Sequence, residues 1–185
     1  KTKRPKVIFT QPDTPLKCGG VALKMLYLSA DYLKKAGLGA DYYFYTGLKE
    51  LFHLPKVDKE LTKVQKSYDK IETKFSHFLR SIDVKAKEAT FIHAYAKEVI
   101  DEDFGEKIME NFNDEVVVKY DFIHVVPPML PPTAVIESDL TDKQGWLDVD
   151  KHTLQHKKYK NIFGIGDVCN VPMGKTGGSA RHHGP

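Results

Sequence analysis

The sequence predicts an α/β fold built on a parallel sheet. Three observations point to it: a buried strand at Val7–Thr10, an amphipathic helix after it, and a second strand at Tyr42–Tyr45. A strand, a helix and a strand in succession imply two parallel strands joined by a right-handed crossover. The 185 residues, 41% of them apolar before glycine is counted, suffice for one domain or two small ones with a real core.

Val7-Ile8-Phe9-Thr10 is a short β-branched and aromatic run bounded by Pro5 and Pro12. A turn follows and ends in Cys18-Gly19-Gly20. Val21, Met25, Leu28 and Tyr32 then recur at spacings of four, three and four, and Ala22, Leu26 and Leu33 widen that stripe. Gly37 is placed to cap the helix at its C-terminus. From Asp58, a plausible N-cap, Leu61, Val64, Tyr68, Ile71, Phe75 and Phe78 recur at helical spacing, while Ile71–Phe75 also fits an alternating strand. Pattern alone favours one long helix. Leu79–Asp83 and Ala89–His93 flank a charged turn as a hairpin would. Residues 97–115 are rich in acid and amide groups, and read as an exposed excursion with one short helix near Glu106–Asn111. Val116–Tyr120, Phe122–Val126, Trp146–Val149 and Asn161–Ile165 are further strand candidates. Between them, four of the six residues Pro127–Pro132 lack a backbone donor, which excludes regular structure.

Composition excludes several function classes. The net charge is +3 and basic residues are dispersed, apart from the opening Lys1–Lys6, so the concentrated basic face of a nucleic-acid groove is missing. No apolar run approaches the roughly 18 residues a membrane span requires. Only the short apolar Val7–Thr10 follows the basic Lys1–Lys6, so no signal peptide is expected here, and membrane contact would be peripheral or made by sequence outside this chain. Two cysteines, Cys18 and Cys169, are too few for a disulfide scaffold or a structural zinc site, and no metal is expected. On composition alone they are two unrelated buried thiols.

Their local contexts argue otherwise. The turn after the first strand lacks the G-x-G-x-x-G that lets a backbone approach a pyrophosphate, and carries Pro12, Pro15 and Cys18 instead. NAD binding in the usual manner is not expected there. A helix N-terminus at Gly19–Val21 stabilises an anion, which favours a thiolate at Cys18. The second context is Asn161-Ile162-Phe163-Gly164-Ile165-Gly166-Asp167, a strand ending in Gly-Asp. In a flavoprotein, such glycines let the backbone approach the cofactor and the carboxylate accepts ribityl hydrogen bonds. A plain turn uses the same pair. After it, Lys175 and a helix start are placed to balance negative charge on a reduced flavin, the alternative being a solvated lysine.

Taken together these stretches resemble the sulfide:quinone oxidoreductases of mitochondria and some bacteria. The likeness is carried by Ile8–Thr10 with Pro12 and Thr14–Gly20, and by His124–Met129 with Pro131-Pro132. Gly145–Asp150 with Thr153–His156, and Asn161–Asp167 with Asn170, Pro172, Lys175 and Thr176, continue it in order to near the end of the chain. The resemblance implies the C-terminal catalytic part of a flavoprotein with two Rossmann-like domains. Residues 1–93 would be the Rossmann-like second domain carrying the first redox cysteine. Residues 94–126 would complete or link it, and 127–185 would be the C-terminal part of the FAD-binding domain, the N-terminal FAD motif lying outside this stretch. It also implies a helix ending near Lys70 with a strand after it.

The resemblance further implies that Cys18 carries sulfane sulfur and that Cys169 links to the flavin. Gly164, Gly166, Asp167, Lys175, Thr176, Pro127 and Pro128 would contact FAD. Electrons from sulfide would reach a membrane quinone, and the sulfur a small-molecule acceptor. The enzyme would sit peripherally on the mitochondrial inner membrane, or on the bacterial cytoplasmic membrane, held there by sequence outside this chain. The isolated stretch is expected to be inactive, and exposed apolar surface would favour homo-oligomers. One departure concerns the second cysteine. In the family it usually follows Gly-Asp directly or takes the equivalent place before the proline; here Val168 holds that place and Cys169 comes next, and in extended chain one residue turns a side chain to the other face. Two other readings stay open: a flavin quinone reductase of the NADH dehydrogenase type, and a non-catalytic scaffold that keeps the fold.

Overall fold

The computed structural model describes residues 4–14, 16, 18–68, 70–101, 104–172 and 175–184. It divides into two compact units: residues 1–13 with 22–127, and residues 14–21 with 128–185.

The first unit is a Rossmann-like α/β arrangement. Strand β1 (Lys6–Gln11), helix α1 (Val21–Lys35), strand β2 (Asp41–Thr46), helix α2 (Pro55–Ser67) and strand β3 (Ile71–Lys74) follow in order. With β7 (Phe122–His124) they form a parallel sheet of order β3-β2-β1-β7. Alternation sends Val7 and Phe9 to one face, where they pack with Ala22, Leu23, Leu26 and Ala30 of α1. Ile8 goes to the other face, with Tyr45 and with Ala89 and Phe91 of a second sheet. That second sheet is antiparallel: β4 (His77–Asp83), β5 (Glu88–Ile100) and β6 (Lys107–Lys119) in sequence order.

Several elements differ from the sequence expectation. Of the apolar stripe expected on α1, its flank at Ala22, Leu26 and Leu33 packs, whereas its centre does not. Ala22, Leu26 and Ala30 are buried, whereas Met25, Leu28 and Tyr32 are exposed. With Val7, Phe9 and Phe122, the exposed Leu28 and Tyr32 line an open apolar groove of about 630 Å³. The C-terminus of α1 is as expected: Gly37 takes φ 70°, with Leu38 N–H on the Leu33 carbonyl and Gly37 N–H on that of Lys34. Helix α2 starts three residues before Asp58, with Pro55 in the first turn. Asp58 instead accepts hydrogen bonds from the backbone N–H groups of Leu51 and Phe52. The long helix suggested by periodicity is broken at Ser67, and Ile71–Lys74 is a strand, as the resemblance implied.

The acid-rich region is a correction. It forms no helix near Glu106–Asn111, because Lys107–Asn111 open β6, whose 13 residues pair in register with the 13 of β5. Cross-strand pairing, including the stacked Tyr95–Phe112 rings, outweighs local composition there. Beyond His93, which pairs with the first residue of β4, β5 and β6 continue as a two-stranded ribbon.

The second unit is mostly turns, with short helices α3 (Thr133–Ile136) and α4 (Gly177–His183) and a 3-10 turn at Gly166–Val168. Trp146–Val149 and Asn161–Ile165, expected as strands, make only isolated bridges, Leu147 to Cys169 and Gln155 to Phe163 among them. Its core is Leu147, Val149 and Cys169, with Val135, Leu140, Val168 and Val171 against them.

Candidate functional site

Both cysteines belong to the second unit, and both are free thiols. Cys18 lies three residues before α1 and is half-buried. Its backbone takes φ 54°, a left-handed conformation that a β-carbon disfavours. Two hydrogen bonds hold it there. The Cys18 N–H donates to the Lys175 carbonyl at 2.8 Å, and the Cys18 carbonyl accepts from Val21 N–H at 2.9 Å.

Cys169 is fully buried. The segment before it is fixed by Leu147 N–H on the Val168 carbonyl, and the one after it by Asn170 N–H on the Leu147 carbonyl. Asn170 adds two more links: its side-chain oxygen accepts from Val149 N–H, and its amide donates to Asp148. Burial pushes the Cys169 thiol up from its ordinary pKa, with the Lys175 charge opposing. Gly164 faces this sulfur. A β-carbon built there would stand 2.3 Å from Leu147 Cδ2 and 2.8 Å from Cys169 Sγ, so only glycine fits.

Lys175 joins the two cysteine segments. Besides accepting from Cys18 N–H, it donates through its ammonium to the carbonyls of Asp167 at 2.6 Å and Cys169 at 2.7 Å. The same nitrogen lies 3.6 Å from the centre of the Trp146 ring, a cation–π contact. One residue thus touches the backbone of both thiols.

Gly166 has φ 71°, and a β-carbon there would meet Ala180 of α4 at 3.2 Å. Its N–H donates to His183 Nδ1. Asp167 follows, half-buried at the start of the 3-10 turn. Thr176 caps α4 by accepting from Ser179 N–H. Pro127 and Pro128 are both exposed; the first closes one unit and the second opens the other. Met173 and Gly174, in the loop between the Gly-Asp turn and α4, lie outside the described residues, as do Pro15 and Lys17 beside Cys18.

The fit of these residues to a flavin is partial. Asp167 is a half-buried carboxylate, the type of group that accepts ribityl hydrogen bonds. Gly164 and Gly166, however, leave their space to the unit's own side chains, and the Lys175 ammonium is turned to carbonyls and an indole. Among the described residues no group of three or more His, Cys, Asp or Glu side chains is arranged to hold a metal ion. No described helix is long and apolar enough to cross a membrane.

Sequence reasoning named His156 only within the Thr153–His156 stretch and missed its role; it is buried in the second unit. Its Nδ1 accepts from the N–H groups of Lys158 and Tyr159, so Nε2 carries the proton and donates to the Leu140 carbonyl at 3.0 Å. The one available signal is an isolated histidine in a polar stretch. Trp146 was seen as part of a strand and of a stretch carrying the resemblance, without its role as a platform for Lys175.

No family model matches the chain. Among curated proteins, the mitochondrial sulfide:quinone oxidoreductase of Mus musculus is 36% identical over 94% of this chain and 36% of its own length. That of Dictyostelium discoideum is 36% identical over 96% of this chain and 36% of its own. That of Schizosaccharomyces pombe is 31% identical over 95% and 36%. The chain therefore spans about a third of the length of the curated relatives it matches. Among solved structures, a chain in the cryo-EM structure of the Tetrahymena thermophila mitochondrial ATP synthase, F1Fo composite tetramer, superposes with a TM-score of 0.65. It is 23% identical, over 95% of this chain and 40% of that one, and shows the shared fold.

Proposed function

Starting from a chain related along nearly all its length to the mitochondrial sulfide:quinone oxidoreductases, we propose that it is the thiol-bearing part of such a mitochondrial flavoenzyme. The observation that carries this reading is the Lys175 bridge: one residue accepts from the backbone of Cys18 and donates to that of Cys169. Two thiols far apart in sequence are thereby tied to one short segment.

The chemistry of the pair balances without a metal. In the oxidised pair, hydrosulfide attacks sulfur in the Cys18–Cys169 bridge. A new S–S bond forms at Cys18 as a persulfide, and Cys169 leaves as a thiolate. A small thiolate or similar nucleophile then takes the sulfane sulfur from Cys18, and Cys18 is left as a thiolate. FAD, when bound, would supply the two-electron acceptor needed to close the pair again, with a membrane quinone as the final acceptor. The half-buried loop at Cys18 admits the small anion. The buried Cys169 must turn out of the Leu147–Val149 core to take part, and the Lys175 bonds to the Asp167 and Cys169 carbonyls are what that turn has to break. Asp167 and Thr176 are the residues this reading assigns to the flavin's ribityl side. Peripheral membrane contact is assigned to sequence outside this chain.

The test is a flavin spectrum of the purified full-length protein. Absorbance that bleaches on adding sulfide, recovers with a soluble quinone, and loses the response in Cys18→Ser bears the reading out. A colourless protein removes it. A second reading, a scaffold that keeps the fold without the chemistry, is favoured by the full burial of Cys169. It requires a protein without bound flavin whose fold and assembly are unchanged in Cys18→Ser.

A further inference from the structure

Outside the cysteine unit, two histidines stand side by side with no part in the chemistry above. His77 opens β4 and is the Cα partner of His93 on β5, so the two side chains share one face. Their rings stack, with centroids 4.2 Å apart and planes inclined by 15°. His77 Nδ1 lies 2.6 Å from the Phe75 carbonyl. A carbonyl only accepts, so Nδ1 holds the proton and Nε2 presents its lone pair. Burial also lowers the His77 pKa from 6.5, against that backbone bond, and the charges of His93 and Lys74 add to the lowering. The imidazole is therefore neutral at physiological pH.

Room for an ion lies on the His93 side of the pair. His93 lines a cavity of about 590 Å³ together with Ser76, Tyr95 and Phe112. Asp114 on β6 is the Cα partner of His93 from the other side and accepts from the Tyr95 hydroxyl at 2.9 Å. It puts a carboxylate in the same row. Tyr45 meets His77 edge-on at 5.5 Å and closes the inner side. Stacking accounts for two flat rings at these positions, but not for a backbone carbonyl that sets the tautomer of one of them.

We propose that His77 and His93 form a two-imidazole chelate for a divalent transition-metal ion of the copper, nickel or zinc kind, with water completing the shell. Metal–nitrogen bonds of about 2.0–2.1 Å require two nitrogens roughly 3–3.5 Å apart with their in-plane lone pairs converging, so His93 must swing out of the stack while the Phe75 carbonyl holds His77. With only two protein ligands, affinity should follow the divalent series, copper above nickel above cobalt. The bound ion would clamp β4 to β5 where the two-stranded ribbon begins.

The experiment titrates the metal-free protein with Cu²⁺, Ni²⁺ and Zn²⁺ by calorimetry and follows backbone hydrogen exchange. One ion should bind per chain and slow exchange across Glu88–Ile100. In His77→Gln and in His93→Phe, which keeps a stacking ring, affinity should fall by about tenfold or more. The double variant His182→Gln, His183→Gln should bind as the parent does. Unchanged affinity in His93→Phe, with its melting temperature preserved, overturns the site. So does binding that disappears with His182 and His183.

Discussion

Cys18 and Cys169 differ in what surrounds them, and that difference is measurable. Cys18 is half-buried on a strained turn, whereas Cys169 is sealed in a core with its thiol pKa raised. Since the thiolate is the reactive form, iodoacetamide should label Cys18 first, with Cys169 protected until the fold opens. Peptide mass spectrometry at timed intervals checks this, and equal labelling rates would contradict it. Gly164→Ala should destabilise the protein by about 1–3 kcal/mol in a denaturant melt, because its new methyl must displace Leu147 and Cys169 Sγ. The prominence of Cys18 was legible: a cysteine before two glycines and a helix stands out in any sequence. The glycines of Gly164-Ile165-Gly166 were legible as special positions too. What their missing side chains make room for was not, since Leu147 and Ala180 are distant in sequence and reach them only through the fold.

Among the elements, the strand–helix–strand start was legible nearly to the residue, because local periodicity and a Gly37 cap specify it. The buried face of α1 was legible only in part, at Ala22, Leu26 and Leu33. Small alanines at 22 and 30 allow close approach to the sheet, while the larger Met25, Leu28 and Tyr32 stay outside. The β5–β6 hairpin was hidden because its stability resides in pairing between strands, which no single segment displays. Its ribbon ends in Phe104, 81% exposed. Phe104→Ser should therefore change stability by less than about 0.5 kcal/mol, as a thermal melt would show. The His77 pair gives the second sheet a pH dependence of definite sign. The folded imidazole resists protonation, whereas the unfolded one takes a proton below about 6.5. Stability should thus decline as pH falls from that value toward the lower folded pKa, and His77→Gln should flatten the slope. Chemical denaturation at stepped pH measures both.

For the whole molecule, the order of elements and the Rossmann-like class were legible, but the assignment of residues 14–21 to the second unit was not. Nothing in a sequence marks a loop as belonging with residues more than a hundred positions away. The open groove along α1 leaves Leu28 60% and Tyr32 72% exposed. An apolar patch of that kind promotes association between copies. Leu28→Glu should lower the sedimentation coefficient at high protein concentration, with the melting temperature kept. Strand β1 lies between two neighbours of very different origin: Val7 pairs with Tyr42 on one side and with Phe122 on the other. Its partnership with β2 is local and can form early. That with β7 closes a loop of more than a hundred residues, a step that slows folding. During synthesis, the edge of β1 awaiting β7 stays open until the residues through His124 have emerged, and a nascent chain stalled before then would offer that bare edge to any other strand it met.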